Sequence, residues 1–257
     1  MVHLHLSWAF PPSSVTWRQD GFWNRFIRNM TCINKRCDSR PFKEESSMCG
    51  RFSATFTWKD LTNRWPIEQD LTPPWTPRFN IAPGQNVLTI GQRMNGQWKA
   101  AWVHWGVSVH HSLLINARRE SVQNKPLFRE GYHHQRVIVP ADGFYEWERS
   151  TRQPFRFTLD TLFAIAGILI ASPARDFWYV VLLTTQADGV IQPIHDRMPW
   201  VLTDEQVPVW LGRQSHAYQS LTVVSKSWHV YPVSKKINNA QNDSPDLILP
   251  CPVDGHL

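Results

Sequence analysis

The sequence predicts an α+β fold, a single domain built on a mixed or antiparallel β-sheet with a few short helices. Three observations lead there. Strand-like runs rich in β-branched and aromatic residues recur at uneven spacing, at Asn86 to Gln92, Gln97 to His104, Arg136 to Val139, Phe144 to Glu148, Pro154 to Leu159, Phe163 to Ile170 and Trp178 to Thr185. Helical patterns do not alternate with them, as a doubly wound parallel sheet would require. Finally, a 42% apolar share of 257 residues supplies a core, and at roughly 150 residues per domain the length suits one large domain.

From the amino terminus, residues 1–48 hold no helical or strand period and scatter Trp8, Trp17, Phe22, Trp23 and Phe26 among Pro and Ser. They read as a leader outside the fold, unstructured and either cleaved or never translated. Seven basic and four acidic side chains lie in it, so half of the formal +6 charge belongs to the leader. The domain proper spans 49–257. It opens with a short helical pattern near Trp58 to Trp65 and a turn region at Pro73, Pro74 and Pro77, and then the strands begin. Further helices are expected at Lys125 to Glu130, after the Thr203-Asp204-Glu205 start signal, and near His216 to Leu221.

Several classes of function fall away. The longest apolar run, Leu162 to Ala171, is shorter than the roughly 18 residues of a membrane helix. Met1 to Phe10 lacks the basic start of a secretory signal. The expectation is a soluble, cytoplasmic, monomeric protein without a membrane partner. Four cysteines are too few for a disulfide framework. Cys32 and Cys37 find no second ligand pair, and the adjacent histidines His110-His111 and His133-His134 would diverge on a strand, so no metal is expected. Without a Walker loop or a glycine-rich dinucleotide turn, no nucleotide cofactor is expected either. The positive charge left in residues 49–257 suits a polyanionic partner without demanding one.

Four segments interrupt strand-like surroundings with reactive groups: Met48-Cys49-Gly50-Arg51-Phe52, Leu114 to Glu120, Pro140 to Trp147, and Ile194-His195-Asp196-Arg197-Met198-Pro199. They supply a thiol, an amide, a carboxylate and an imidazole, the inventory of a nucleophilic site with a general acid and base. Cys49 follows a methionine. If translation starts at Met48, removal of that residue leaves Cys49 as the amino terminus and makes it a 1,2-aminothiol. Its amine, with an ordinary pKa of about 7.7 to 8.0, attacks an aldehyde to give a Schiff base, and its thiol then closes a thiazolidine. The codons of Lys43-Glu44-Glu45 can carry a purine-rich ribosome-binding sequence at a suitable distance from Met48. Glu146, between Tyr145 and Trp147, is placed for desolvation that would make it a usable proton donor or acceptor. His195 reads as a proton shuttle in a loop, and Asn116 as an amide that orients a substrate or the amine.

Taken in order, these segments resemble the SRAP family, the SOS response-associated peptidases or abasic-site processing proteins. Arg78-Phe79-Asn80-Ile81-Ala82-Pro83-Gly84, Trp105-Gly106, Ile115-Asn116-Ala117-Arg118 with Glu120, and the tail from Val233-Ser234 through Asn242, Ser244 and Leu247 extend the match from Cys49 to about Pro250. The segment Val107 to Leu114 is shorter than its Trp-bearing counterpart in the family. The resemblance implies a partly barrel-like β domain with a groove for single-stranded DNA. There Cys49 would crosslink to an abasic site, held by Asn116, with Glu146 assisting Schiff-base chemistry and His195 protonating the sugar ring oxygen. It also implies DNA contacts from Arg51, Phe52, Arg78, Asn80, Trp105, Arg118 and Arg197, the arginines on phosphates and Phe52 or Trp105 stacked on bases. Self-processing peptidase action, lyase-like chemistry and a role in the DNA-damage or SOS response at the bacterial nucleoid belong to the same expectation. Two alternatives are a noncovalent single-strand binding module and a cysteine peptidase using Cys49 and His195. Most of the 14 Trp residues are as well explained by core packing as by stacking.

Overall fold

The computed structural model describes residues 49–68, 71, 73–109, 112–172, 177–213 and 216–252. The expectations for the leader, including Cys32 and Cys37, and for His110-His111 lie outside the described residues. β1 (Phe52–Ala54) leads into α1 (Trp58–Arg64). A reciprocal cap starts that helix: Thr57 Oγ1 accepts from the Asp60 N–H, and the Asp60 carboxylate accepts from the Thr57 N–H. Next come β2 (Ile67–Glu68), β3 (Arg78–Ile81), β4 (Asn86–Gln92), β5 (Trp98–Trp105), the paired β6 (Val107–Val109) and β7 (Ser112–Leu114), and β8 (Asn116–Arg118). After α2 (Pro126–His134), the long strands β9 (Arg136–Trp147), β10 (Pro154–Ala171) and β11 (Trp178–Gln186) follow. The chain finishes with β12 (Arg197–Pro199), β13 (Val201–Leu202), α3 (Gln206–Leu211) and β14 (His229–Pro232), then 3-10 turns at Lys235–Asn238 and Pro245–Ile248.

Among the described residues, one mixed sheet of 12 strands contains every strand except β6 and β7. Within it β9, β10, β11, β5 and β4 close a ring: β9 pairs with β10 and with β4, β10 with β11, β11 with β5, and β5 with β4. The β11–β5 contact is parallel and the others are antiparallel. This is the expected α+β class, with its sheet partly rolled into a barrel. Each long strand spends one part of its length in the ring and the rest on additional partners. Thus β9 also carries β1, β10 carries β13 and β14, and β11 carries β8 and β12.

Three expectations differ by more than the end of an element. The runs 136–139 and 144–148 are one strand, because Pro140 and Gly143, which read as breakers, continue the ladder opposite Ala164 and Thr158 of β10. A Cβ at Gly143 would stand 2.7 Å from Nε of Arg156, so a side chain there would displace the guanidinium that pairs with Asp142. The runs 154–159 and 163–170 likewise merge into β10, where a register irregularity between Thr158 and Phe163 produced the apparent gap. The helix expected at His216 to Leu221 is a 3-10 turn, Ala217–Ser220.

Aromatic packing holds the folded unit. Phe144 and Phe157 stack with centroids 4.9 Å apart, and Trp228 meets Phe144 and Phe163 edge-on at 5.2 and 5.5 Å. Trp105, Trp200 and Trp210 are fully buried, so these indoles serve the core. Arg136 closes two helix ends at once. Its guanidinium lies over the Tyr218 ring at 3.6 Å and donates to the carbonyls of Tyr132 and His133 in α2 and of Trp210 and Gly212 at the end of α3.

Candidate active site

Pairing of β1 with β9 brings the thiol to the carboxylate. Phe52 stands opposite Phe144, and the Tyr145 N–H donates to the Arg51 carbonyl at 2.9 Å, so the chain ahead of β1 runs back along Glu146. The Cys49 N–H donates to Glu146 Oε1 at 2.8 Å. Cys49 adopts φ 47°, a left-handed conformation that is strained for a side chain with a Cβ. Both residues are buried, at 4% and 2% exposure. Burial pushes the Glu146 carboxyl up to about 8, against the hydrogen bonding from Cys49 and with help from the Asp196 charge. Burial, followed by the proximity of Glu146, also raises the Cys49 thiol well above its ordinary value. At neutral pH the pair is therefore a thiol beside a carboxyl group that is mostly protonated, and that carboxyl exchanges its proton within the physiological range.

The other two groups arrive on β11. Strand β8 lies parallel to it, with Asn116 opposite Leu182, and Asn116 Nδ2 donates to the Cys49 carbonyl at 3.3 Å. β12 lies antiparallel to β11 farther along, with Arg197 opposite Gln186. That placement puts the Arg197 carbonyl against the Cys49 thiol, Sγ to O being 3.8 Å. His195, two residues earlier, is anchored by the same residue: its Nδ1 accepts from the Arg197 N–H at 3.0 Å. The same Nδ1 lies 3.1 Å from the Arg197 carbonyl, so it accepts from the Arg197 N–H when bare and donates to that carbonyl when it carries a proton. Cys49, Asn116 and Glu146 are thus joined by direct hydrogen bonds, and His195 joins them through the backbone of Arg197. Among the described residues no group of three or more His, Cys, Asp or Glu side chains is arranged to hold a metal ion.

Most of the residues expected to contact DNA have partners within the fold. Phe52 and Trp105 are 2% and 0% exposed and pack against each other with centroids 5.2 Å apart. Neither ring has a free face for a base. Arg51 is buried and donates to Asn80 Oδ1 and the Ile237 carbonyl. Asn80, fully buried, donates to the carbonyls of Ile237, Asn239 and Asn242. Arg78 is paired with Asp243, whose carboxylate also accepts from the Phe79 and Asn80 N–H groups. These three residues therefore fasten the carboxy-terminal tail to β3 and the start of β1. Arg197 forms a two-pronged ion pair with Glu120, 3.0 Å at each prong, and donates to Thr184. Of the arginines singled out, Arg118 alone is exposed and without an ion pair among the described residues. Sequence reasoning missed the roles of Glu120, Asp243 and Asp142, all acceptors that commit an arginine. Asp142 and Glu120 lie inside quoted motifs, but nothing in a motif distinguishes a reactive carboxylate from a paired one.

Comparison with known proteins identifies the family. A family model described as SOS response associated peptidase (SRAP) matches residues 48–240. The chain is 32% identical over 222 residues to the abasic site processing protein YoqW of Bacillus subtilis, covering 78% of this chain and 99% of that protein. It is 30% identical over 226 residues to YedK of Escherichia coli, also an abasic site processing protein, covering 79% and 100%. Among solved structures, a Bacteroides thetaiotaomicron protein superposes with a TM-score of 0.68 at 18% identity, over 79% of this chain and all of that one. A phage-related protein of Bordetella bronchiseptica gives 0.61 at 25% identity, over 73% and 95%. The chain belongs to the SOS response associated peptidase (SRAP) family.

Proposed function

We propose that this protein captures abasic sites in single-stranded DNA by forming a thiazolidine between Cys49 and the aldehyde of the lesion, after removal or non-translation of residues 1–48. The observation that carries the reading is the buried contact between the Cys49 nitrogen and Glu146, 2.8 Å long. A nitrogen held against a proton-exchanging carboxyl is what amine attack and imine dehydration require. The names of the relatives YoqW and YedK, abasic site processing proteins, support the choice of lesion.

An abasic deoxyribose is mostly a ring hemiacetal. Opening it breaks the C1–O4 bond: O4 takes a proton from protonated His195, and the C1 hydroxyl releases its proton to solvent as the carbonyl forms. The free amine of Cys49 then adds to C1. One N–H proton passes to the former carbonyl oxygen, Glu146 delivers a second proton to the resulting hydroxyl as water leaves, and the Glu146 carboxylate takes back the remaining N–H proton, so that the neutral imine remains. Addition of the Cys49 S–H across C=N gives the C–S bond and an N–H, closing a five-membered ring. Asn116, on the Cys49 carbonyl, fixes the rotation of the residue so that nitrogen and sulfur address the same carbon. Glu146 stands equally beside the nitrogen that would leave if water cleaved the Met48–Cys49 bond, so self-processing falls within the same proton-transfer chemistry.

Protein whose amino terminus has been fixed as Cys49 by intact mass, incubated with an abasic single strand and then heat-denatured, should give a shifted band that Cys49→Ala abolishes. Strand binding with no covalent band would overturn the proposal in favour of a noncovalent module. Peptide cleavage without any strand binding would overturn it in favour of a peptidase.

A further inference from the structure

Beside the site lies an ion pair that the chemistry above does not use. Asp196 Oδ1 accepts from Arg149 Nη2 at 2.8 Å and stands 3.4 Å from His195 Nδ1. Arg149 follows Glu146 by three residues and Asp196 follows His195 by one, so the pair ties the end of β9 to the loop before β12. One carboxylate oxygen thus serves two cations in competition, a permanent guanidinium and an imidazolium that exists only when His195 is charged. Both members of the ion pair are open to solvent, the Asp196 side chain at 64% and the Arg149 side chain at 69%, whereas the His195 side chain is 13% exposed. The Arg149 guanidinium is therefore open to a polyanion, whereas the imidazole is largely covered.

The neutral ring is satisfied at Nδ1 by the Arg197 backbone alone, by its N–H at 3.0 Å or its carbonyl at 3.1 Å. Once protonated, Nδ1 becomes a donor, and the acceptors within reach are the Arg197 carbonyl at 3.1 Å and Asp196. The Nδ1–H of the acid form required for sugar ring opening thus faces a carboxylate that Arg149 already occupies. The other charged or titratable groups here are Glu146 and Cys49, which feel the Asp196 charge, and Arg197, whose guanidinium is committed to Glu120.

We infer that Asp196 is a positioning residue for protonated His195 and that Arg149 is a phosphate-responsive restraint on it. A backbone phosphate of the bound strand draws the Arg149 guanidinium away, and the freed carboxylate turns to the imidazolium. The inference rests on the proposed function, and it makes the protein more reactive toward an abasic strand than toward a free sugar of the same chemistry. No redox partner or further reactant enters, because the strand exchanges one anionic partner of Arg149 for another.

The test compares 2-deoxyribose, which carries the same hemiacetal without phosphate, with an abasic single strand. Thiazolidine formation is followed by mass from pH 5 to 9 in wild type, Asp196→Asn and Arg149→Gln. For solvent-exposed charge pairs the changes are modest, about two- to fivefold. Arg149→Gln should speed reaction with 2-deoxyribose by that factor and extend it to higher pH, while bringing no gain on the strand. Asp196→Asn should slow both substrates and move the profile to lower pH, and Asp196→Glu should restore it. Equal 2-deoxyribose rates in wild type and Arg149→Gln, or a pH profile unmoved by Asp196→Asn, overturn the inference. A wild type that forms no adduct with the strand overturns the proposed function instead, so the two failures are distinguishable.

Discussion

Two carboxylates stand four residues apart on the same strand, and their surroundings give them opposite uses. Asp142 of β9 is met by Arg156 at 3.0 Å, by Ser53 Oγ at 2.7 Å and by the Thr55 backbone and hydroxyl. Every lone pair faces a donor and the negative charge is matched by a buried guanidinium. Glu146 is more deeply buried, and its partner in hydrogen bonding is Cys49, with no cation paired to it among the described residues. The lesson is that burial alone does not make a carboxylate reactive. Burial with full compensation makes a scaffold, and burial without a compensating charge makes a group that holds its proton to neutral pH and exchanges it there.

The comparison can be broken most forcefully at Asp142. Asp142→Ala strands the Arg156 guanidinium, 7% exposed, and should cost about 3–5 kcal/mol of folding stability. The denaturant midpoint reads this loss, and at low temperature the folded fraction should still crosslink. Glu146→Gln should do the reverse. It keeps the shape and removes the exchanging proton, so crosslinking should fall at least ~100-fold with the unfolding midpoint at pH 7 unchanged or raised. If Glu146→Gln destabilised the protein as strongly as Asp142→Ala, the two carboxylates would not differ in kind.

This difference also marks where sequence reading stops. The long strands were legible because apolar, β-branched runs persist for most of a strand, and β4 was delimited to the residue, Asn86–Gln92. Short strands such as β1, β8 and β12 have only three residues each, too few for a period, and they are the ones that carry or flank Cys49, Asn116 and His195. Those residues were found as motif chemistry instead. Motifs could not show that Arg51, Asn80 and Arg78 point at the tail, since that depends on Asp243 and on the carbonyls of residues 237–242, more than 150 positions away in the chain. Nor could they show that Trp105 lies beneath the site, its indole N–H donating to the Ile115 carbonyl at 3.0 Å.

The mildest expected effect sharpens the comparison without disturbing the fold. Glu146 keeps its proton up to about pH 8 in the folded chain, whereas in the unfolded chain an ordinary glutamate releases it near 4.3. Between those limits the folded state binds one proton more than the unfolded state, so raising the pH favours unfolding. The contribution to stability falls by about 1.4 kcal/mol per pH unit through that window and levels off on either side. Glu146→Gln has no such proton to lose. Unfolding free energies of wild type and Glu146→Gln, measured at pH 6 and pH 7, should therefore differ in slope by about 1.4 kcal/mol, wild type being the steeper. Contributions from the histidines and from the Asp142 network are common to both proteins and cancel in the difference. Parallel slopes would mean that Glu146 is ionised in the folded state at pH 6, and the uncompensated burial that sets it apart from Asp142 would then have no chemical consequence.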